Sequence, residues 1–280
     1  MKLSIEIAVD SIIDTLRGLR WSEYAPFFWI LAAQWFFLAM STQLHTTWGM
    51  SIVAPIARLA GGSENLHYPT FYGYLSILLG WVESFLYVVP GAFLIPLMLL
   101  RYYARTDRAL SLGAGAASRL AGAFIPTLLA GLAGVGCIWG WQRFASPGIM
   151  AAWRQWMSEP MGGTLGWLAV TLGGYGILTM LVYVPVAAVQ ARTNPLRAIG
   201  YGIRFGLRSW PVTLVFSVIY GAPAVLVQFL LERQGVLVVS RLRPEFIAVL
   251  LGVYALATSV ATYLTYGTAA RLYRVARGEK

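Results

Sequence analysis

Six long apolar stretches constrain the fold of this chain more than any other feature of its sequence. A helix needs about 20 apolar residues to cross the hydrocarbon core of a bilayer. Charged residues make up only 11% of the chain, against about 25% in an ordinary soluble domain, so much of its surface is not suited to water. The sequence therefore predicts an all-α membrane protein with about six transmembrane helices. The predicted spans are about 25–40, 71–100, 120–141, 165–189, 210–231 and 245–269.

The second apolar stretch is longer than one straight span and contains two prolines, Pro90 and Pro96. Proline removes a backbone donor and bends a helix. Two arrangements fit this pattern: one kinked and tilted span, or a span followed by a short cytoplasmic helix. We favour the kinked span.

The basic residues predict the orientation of the spans. With the N-terminus inside, the cytoplasmic segments hold 15 of the 21 Lys and Arg residues, and the outer loops hold 6. Such an excess in short loops follows the positive-inside rule. It predicts a multi-pass protein of the inner (cytoplasmic) membrane with both chain ends in the cytoplasm. The candidates for contact with anionic lipid headgroups are Arg105, Arg108, Arg192, Arg197, Arg204 and Arg208.

A sequence repeat links the cytoplasmic segments. Ala104-Arg105-Thr106-Asp107 recurs as Ala191-Arg192-Thr193-Asn194, 87 residues later. Asp107 and Asn194 are good helix N-caps, because their side-chain oxygens accept hydrogen bonds from amides of the first turn. Pro195 then suits the first helical position, where no donor is missed.

The repeat predicts three parallel units, about 8–103, 104–190 and 191–275, within a single membrane domain of residues 1–280. Each unit is expected to hold a short amphipathic helix at the membrane surface and a hairpin of two spans. These surface helices are predicted at about 9–19, 108–119 and 195–207. Two interpretations stay open: a duplication that built a stable bundle, or units that surround a central pathway. Four glycines should allow the second and third surface helices to approach the bundle closely. They are Gly113, Gly115, Gly200 and Gly202.

Glu83 lies among Trp81, Val82 and Phe85, well inside the second span. A charge near the bilayer middle costs about 3 kcal/mol or more unless it is protonated, paired or hydrated. Glu83 is therefore either a proton relay or ligand site, or a protonated acid that hydrogen-bonds a neighbouring helix. No basic residue lies deep in another predicted span, so the sequence offers no ion-pair partner.

The longest predicted outer loop, about 41–70, holds three candidate ligands, His45, Glu64 and His67. Glu64 and His67 are three residues apart, a spacing that di-iron sites use when several such pairs converge. Here a single pair stands beside Gly61-Gly62-Ser63, which is a turn sequence, so solvated loop residues are the better interpretation. We expect no bound metal or cofactor, and the single cysteine, Cys137, cannot form an internal disulfide.

Small and aromatic residues predict how the spans pack. Gly136 and Gly140 form a GxxxG motif in the third span, which lets helices approach closely, and we expect it to pack inside the protein. Tyrosines and tryptophans near span ends, such as Trp21, Tyr24 and Tyr263, are expected in the interfacial aromatic belt. A second stripe of small residues, also expected inside, is Gly252, Ala255, Ser259 and Thr262.

The stretch from Asn194-Pro195-Leu196-Arg197-Ala198-Ile199 to Arg208-Ser209-Trp210 resembles part of a group of bacterial integral membrane proteins of uncharacterised function. That group includes the membrane domain that accompanies some glycerophosphodiester phosphodiesterases. The resemblance implies a six-helix bundle and a role beside lipids or a partner protein. It brings no catalytic residues.

The absence of a Walker loop, a zincin motif and a nucleophile elbow predicts that the chain is not an enzyme. The net charge of +10 does not indicate nucleic acid, because the basic residues lie in short clusters between apolar stretches. We expect a non-enzymatic membrane subunit or scaffold that associates with partner membrane proteins, lipids or pigments. The alternative is a small transporter or channel that uses Glu83. The scaffold is preferred because one buried carboxylate is thin evidence for a pathway.

Overall fold

The computed structural model describes residues 5–18, 20–59, 70–106, 115–158, 161–190, 194–233 and 245–278, whose regular structure is helical throughout. The helices are α1 Ile5–Arg17, α2 Trp21–Thr42, α3 Thr47–Leu59, α4 Thr70–Val88, α5 Gly91–Thr106, α6 Ala116–Gly140, α7 Ser146–Trp156, α8 Met161–Leu181, α9 Tyr183–Gln190, α10 Pro195–Arg233 and α11 Glu245–Ala276. One π-helical turn, Trp141–Ala145, joins α6 to α7.

Long apolar helices confirm the predicted all-α membrane class. Five helical stretches of the described chain are long and apolar enough to cross a membrane. A bent pair, Tyr74–Val88 and Gly91–Ala104, makes a sixth when it is counted as one span. The five stretches are Trp21–Thr42, Ala116–Trp156, Met161–Gln190, Leu196–Leu231 and Phe246–Ala276.

The bent pair is the second predicted span. Its break lies at Val89 and Pro90, between α4 and α5. Pro90 has no backbone donor and restricts the residue before it, so a helix tends to end there. Pro96 lies inside α5 without ending it. The helix therefore breaks at the first of the two prolines, and the choice between one kinked span and a span followed by a short helix stays a prediction.

The start of α10 confirms one part of the repeat prediction and corrects another. The Asn194 side-chain oxygen accepts a 3.0 Å hydrogen bond from the Leu196 amide, and Pro195 is the first residue of the helix, as the capping pattern predicts. The surface helix expected at 195–207 is not separate, however, because α10 continues to Arg233. The corresponding residues 107–114 of the second unit lie outside the described residues.

The predicted outer loop contains a helix that the sequence did not reveal. Helix α3, Thr47–Leu59, buries Val53 and Ala57 in a hydrophobic core cluster. It is too short to cross a bilayer, so its sequence lacks the long apolar stretch that marks a span. His45 precedes α3, whereas Glu64 and His67 lie outside the described residues.

The described chain divides into two compact units. Unit 1 comprises Met1–Glu23, Gly91–Ile219 and Leu264–Lys280, and unit 2 comprises Tyr24–Pro90 and Tyr220–Tyr263. The core of unit 2 is built from the buried faces of α2, α3, α4 and the first half of α11. Its buried residues are Phe37, Leu38, Val53, Ala57, Phe71, Tyr72, Leu75, Leu78, Leu79, Ile247, Ala248 and Leu251.

Unit 1 is held together by close helix packing. Helix α5 contacts α6 and α9, and α7 contacts α8. The Trp141 indole donates a 2.9 Å hydrogen bond to the Val170 carbonyl of α8. Small residues at such contacts let membrane helices approach closely.

Gly202 of α10 is the clearest example of such an approach. A Cβ at this position would lie 2.6 Å from the Val184 Cα and 2.8 Å from the Tyr183 carbonyl oxygen of α9. The prediction of a close approach is therefore confirmed at Gly202. It is wrong at Gly115 and Gly200, where an added Cβ would meet nothing within 4 Å. Gly113 lies outside the described residues.

Helix α1 packs through its polar face. Thr15 accepts a 3.2 Å hydrogen bond from Thr268 of α11, and Asp14 forms an ion pair with Arg271 of the same helix. The apolar side chains of α1, Val9, Ile13 and Leu16, are exposed. This arrangement leaves the apolar side of the amphipathic helix available to a lipid surface.

Candidate functional site

Glu83 lies at the edge of the buried face of α4. That face is formed by core residues such as Leu75 and Leu79, whereas Trp81 and Phe85 are exposed. Glu83 is partly buried between the two faces. It is the only acidic residue of unit 2 whose side chain lies in the described part of the structure. No Lys or Arg among the described residues forms a salt bridge with it.

Glu83 is not isolated from other polar groups. Tyr87, one helical turn further along α4, interacts with Glu83 and also with Tyr24 of α2 and Ser259 and Thr262 of α11. The Tyr87 hydroxyl is buried and has no hydrogen-bond partner among the described residues. The five side chains form what we call the Glu83 cluster, with members from three helices of unit 2.

Hydrogen bonds inside the Glu83 cluster leave oxygen lone pairs available. Tyr24 and Ser259 share a 2.8 Å hydrogen bond. Thr262 donates its hydroxyl proton to the Thr258 carbonyl at 2.8 Å. Because that proton is already used, the lone pairs of the Thr262 oxygen remain available to accept a hydrogen bond or to ligate a cation.

Aromatic rings surround one end of the Glu83 cluster. Phe27 is completely buried and lies 6.5 Å from the Tyr87 ring and 6.4 Å from the Tyr263 ring, measured between centroids. Tyr24 packs edge-on against Tyr263 at 5.5 Å. Tyr24 and Tyr263 were expected in the interfacial belt, but both are buried inside unit 2. Trp21, by contrast, is exposed, as a residue of the predicted belt must be.

Gln34 is a second polar feature of unit 2, and sequence analysis missed it. Its side chain is 0% exposed, and neither its amide oxygen nor its amide nitrogen has a hydrogen-bond partner among the described residues. It lies on the buried face of α2 with Phe27, Leu31 and Phe37. The sequence does contain a signal for Gln34, because it is a single amide in the middle of an otherwise apolar stretch.

The side of α4 next to Glu83 is open. Gly80, one turn from Glu83, is exposed, and a Cβ added there would meet nothing within 4 Å. Ser76, another turn away, is also exposed. Small residues therefore line the exposed side of α4 beside Glu83.

The structure describes the side chains of three of the six arginines that are predicted to contact lipid headgroups. Arg197, Arg204 and Arg208 are exposed on α10. Their spacing of seven and four residues puts them on one face of the helix. Arg108 and Arg192 lie outside the described residues, as does the side chain of Arg105.

Of the three candidate ligands of the outer loop, His45 is the one that lies among the described residues. His45 is exposed beside a shallow open depression, and no group of three or more His, Cys, Asp or Glu that could hold a metal occurs among the described residues. The depression is lined by Leu44, His45, Thr46, Thr47, Met50, Ser51, Ala54, Pro55 and Arg58.

The GxxxG motif of α6 does not pack inside the described protein. A Cβ added at Gly136 or at Gly140 would meet nothing within 4 Å, and Cys137 between them is exposed. The expectation of internal packing is therefore wrong for this motif. In the stripe of α11, by contrast, Ser259 is completely buried, as expected.

Comparison with protein-family models, with curated proteins and with solved structures found no match for this chain. The resemblance of the Asn194–Trp210 stretch to uncharacterised bacterial membrane proteins stays a prediction.

Proposed function

We propose that this protein is a small membrane transporter or channel whose pathway includes Glu83. The observation that carries the proposal is the Glu83 cluster, which brings polar side chains of α2, α4 and α11 together inside unit 2. The sequence favours a scaffold because one buried carboxylate is thin evidence for a pathway, and the cluster adds further polar side chains to that carboxylate. Polar groups inside a membrane bundle are costly and mark ion or substrate pathways.

We also propose that the chain crosses the membrane six times, with both ends in the cytoplasm and three parallel repeat units. The charge distribution along the loops supports this orientation. The arginine face of α10, formed by Arg197, Arg204 and Arg208, supports contact with anionic lipid headgroups at the cytoplasmic surface.

Flux measurements in liposomes test the transport proposal. The full-length chain and its Glu83→Gln variant are reconstituted, and proton flux and radioactive sodium uptake are recorded under imposed ion gradients. We expect flux above that of empty liposomes for the natural chain and at least a tenfold loss for Glu83→Gln. Glu6→Gln is the matched control, because Glu6 is an exposed carboxylate on α1.

Two outcomes of the flux measurements would contradict the proposal. If neither form transports ions above the level of empty liposomes, the transport proposal fails. If Glu83→Gln transports as fast as the natural chain, a pathway exists but does not include Glu83. A thermal unfolding curve of each variant verifies that the loss of flux is not a loss of fold.

A membrane scaffold remains the second candidate function, and the open face of α6 favours it. Gly136 and Gly140 lie on a lipid-accessible surface where a partner helix can approach the backbone. Native purification followed by mass analysis tests this function. We expect a co-purifying membrane protein that is lost when Gly136 is replaced by leucine. A lone monomer without bound protein or lipid would count against the scaffold.

A further inference from the structure

The Glu83 cluster is a connected series of groups that can give and accept a proton. Glu83 and Tyr87 are four residues apart on α4, a spacing that places two side chains next to each other on a helix. The Tyr87 hydroxyl interacts in turn with Ser259 of α11, and Ser259 shares a 2.8 Å hydrogen bond with Tyr24 of α2. A carboxylic acid, a phenol and an alcohol each carry one exchangeable proton and an oxygen that can accept another.

The hydrogen bond between Tyr24 and Ser259 suits a proton better than a metal ion. Its two oxygens lie 2.8 Å apart, and either hydroxyl can be the donor. Oxygens that bind one cation at about 2.3–2.6 Å and roughly at right angles lie more than about 3 Å apart. Because these two hydroxyls already bond to each other, a proton can pass between them without any movement of the side chains.

The Tyr87 hydroxyl is the link in this series whose proton is not committed. It is buried and has no hydrogen-bond partner among the described residues, and it interacts with the hydroxyls of Ser259 and Thr262. Thr262 donates its own proton to the Thr258 carbonyl, so it can accept from Tyr87 but has no proton to pass on. Ser259 can do both. A rotation of the Tyr87 hydroxyl, or one bridging water, completes the path from Tyr87 to Ser259.

The exposed side of α4 next to Glu83 is suited to lipid. Trp81 and Phe85, which flank Glu83 in the sequence, are large apolar side chains and are exposed. The hydrocarbon core of a bilayer holds no water that could carry a proton. The cluster therefore offers a polar route to Glu83 that the apolar side chains of α4 do not.

We infer that the Glu83 cluster conducts protons, with Tyr87 as the relay between Glu83 and the hydrogen-bonded pair of Ser259 and Tyr24. The inference rests on the proposed transport function for its site and names the proton as the ion. When Tyr87 accepts a proton from Glu83, it passes its own hydroxyl proton to Ser259, and Ser259 passes its own to Tyr24. Tyr24, near the start of α2, releases its proton to water. Each hydroxyl thus keeps one proton and stays neutral, and Glu83 is left as a carboxylate, as in the acid relays of proton pumps.

Hydrogen–deuterium exchange of the Glu83 carboxyl group tests the relay without any need for transport. The full-length chain in lipid nanodiscs is held at acidic pH, and infrared spectra identify the carboxylic acid band that Glu83→Gln lacks. After transfer to D₂O, the rate at which this band shifts measures how fast protons reach Glu83. We expect Tyr87→Phe to slow this exchange by about tenfold or more, the equivalent of one hydrogen bond lost from the path. The ring that packs near Phe27 is kept in this variant.

Tyr72→Phe is the matched control, because Tyr72 is also a buried tyrosine of α4 and lies about four turns away from Tyr87. It should exchange at the rate of the natural chain. If Tyr87→Phe does not fold, Ser259→Ala replaces it and should slow the exchange in the same way. In liposomes without sodium salts, we expect proton flux for the natural chain and a loss of about tenfold or more in Tyr87→Phe.

The outcomes separate the two proposals. Unchanged exchange in Tyr87→Phe, or sodium uptake without proton flux, overturns the relay while transport through Glu83 can still be observed. The absence of a Glu83 band at every pH overturns it as well, because the carboxylate then never accepts a proton. Slower exchange in Tyr87→Phe without any flux in liposomes supports the relay and overturns the transport function.

Discussion

Replacing Gly202 by alanine introduces one methyl group where α10 approaches the backbone of α9. The new Cβ would lie 2.6 Å from the Val184 Cα, whereas carbon atoms prefer about 3.5–4.0 Å. The neighbouring atoms belong to the backbone, so no side-chain rotation relieves the contact and the helices must separate by about 1 Å. Overpacking of this kind costs about 1–3 kcal/mol, and we expect the upper end, about 3 kcal/mol.

Gly200→Ala is the matched control for this experiment. Gly200 is on the same helix, and a Cβ there would meet nothing within 4 Å, so the variant should gain about 0.5–1 kcal/mol from reduced backbone freedom in the unfolded state. Both variants share that gain, and the difference between them is the steric cost alone. SDS titration of the purified protein, followed by tryptophan fluorescence, measures the free energy of unfolding. Equal stabilities for the two variants would refute the close approach of α10 to α9.

Three further predictions concern single contacts. Asn194→Ala removes the cap of α10 and should cost about 1 kcal/mol in the same SDS titration; an unchanged midpoint would contradict the capping role. Trp35→Phe removes the 3.1 Å hydrogen bond from the indole to a carbonyl of α11 and should cost about 1 kcal/mol, whereas Trp29→Phe, at an exposed position, should cost less. The Asp14–Arg271 pair is partly exposed (37% and 38%), so a double-mutant cycle should give a coupling energy below about 1 kcal/mol that shrinks in high salt; a larger, salt-independent value would indicate a buried pair.

The spans could be predicted because their signal is local. An apolar stretch of sufficient length has few alternatives to a membrane helix, and five of the six predicted stretches coincide with helical stretches that are long enough to cross a membrane. Helix α3 gave no comparable signal, because it is short, contains Gly49 and Pro55, and is stabilised by packing of small residues such as Ala57. The choice between Pro90 and Pro96 also depends on packing, since each has the same local effect on a helix.

Only one residue of the candidate site, Glu83, could be predicted from the sequence. Glu83 stands out because a carboxylate in an apolar stretch is expensive wherever it lies. Its neighbours come from distant parts of the chain, and the hydrogen bond between Tyr24 and Ser259 joins residues 235 positions apart. Tyrosine suits both a membrane surface and a buried polar site, so the sequence alone could not place Tyr24 inside the bundle.

The π-helical turn between α6 and α7 holds α7 in register. A π turn accommodates an extra residue within an α-helix, so the side chains that follow it keep the directions they would have in a regular helix one residue shorter. One more residue inserted as regular helix would rotate α7 by about 100° relative to α6, which would move Met150 and Trp153 away from the glycines of α8 that they contact. Substitutions at exposed positions of the turn, such as Arg143 and Phe144, should therefore be tolerated, whereas such an insertion should not.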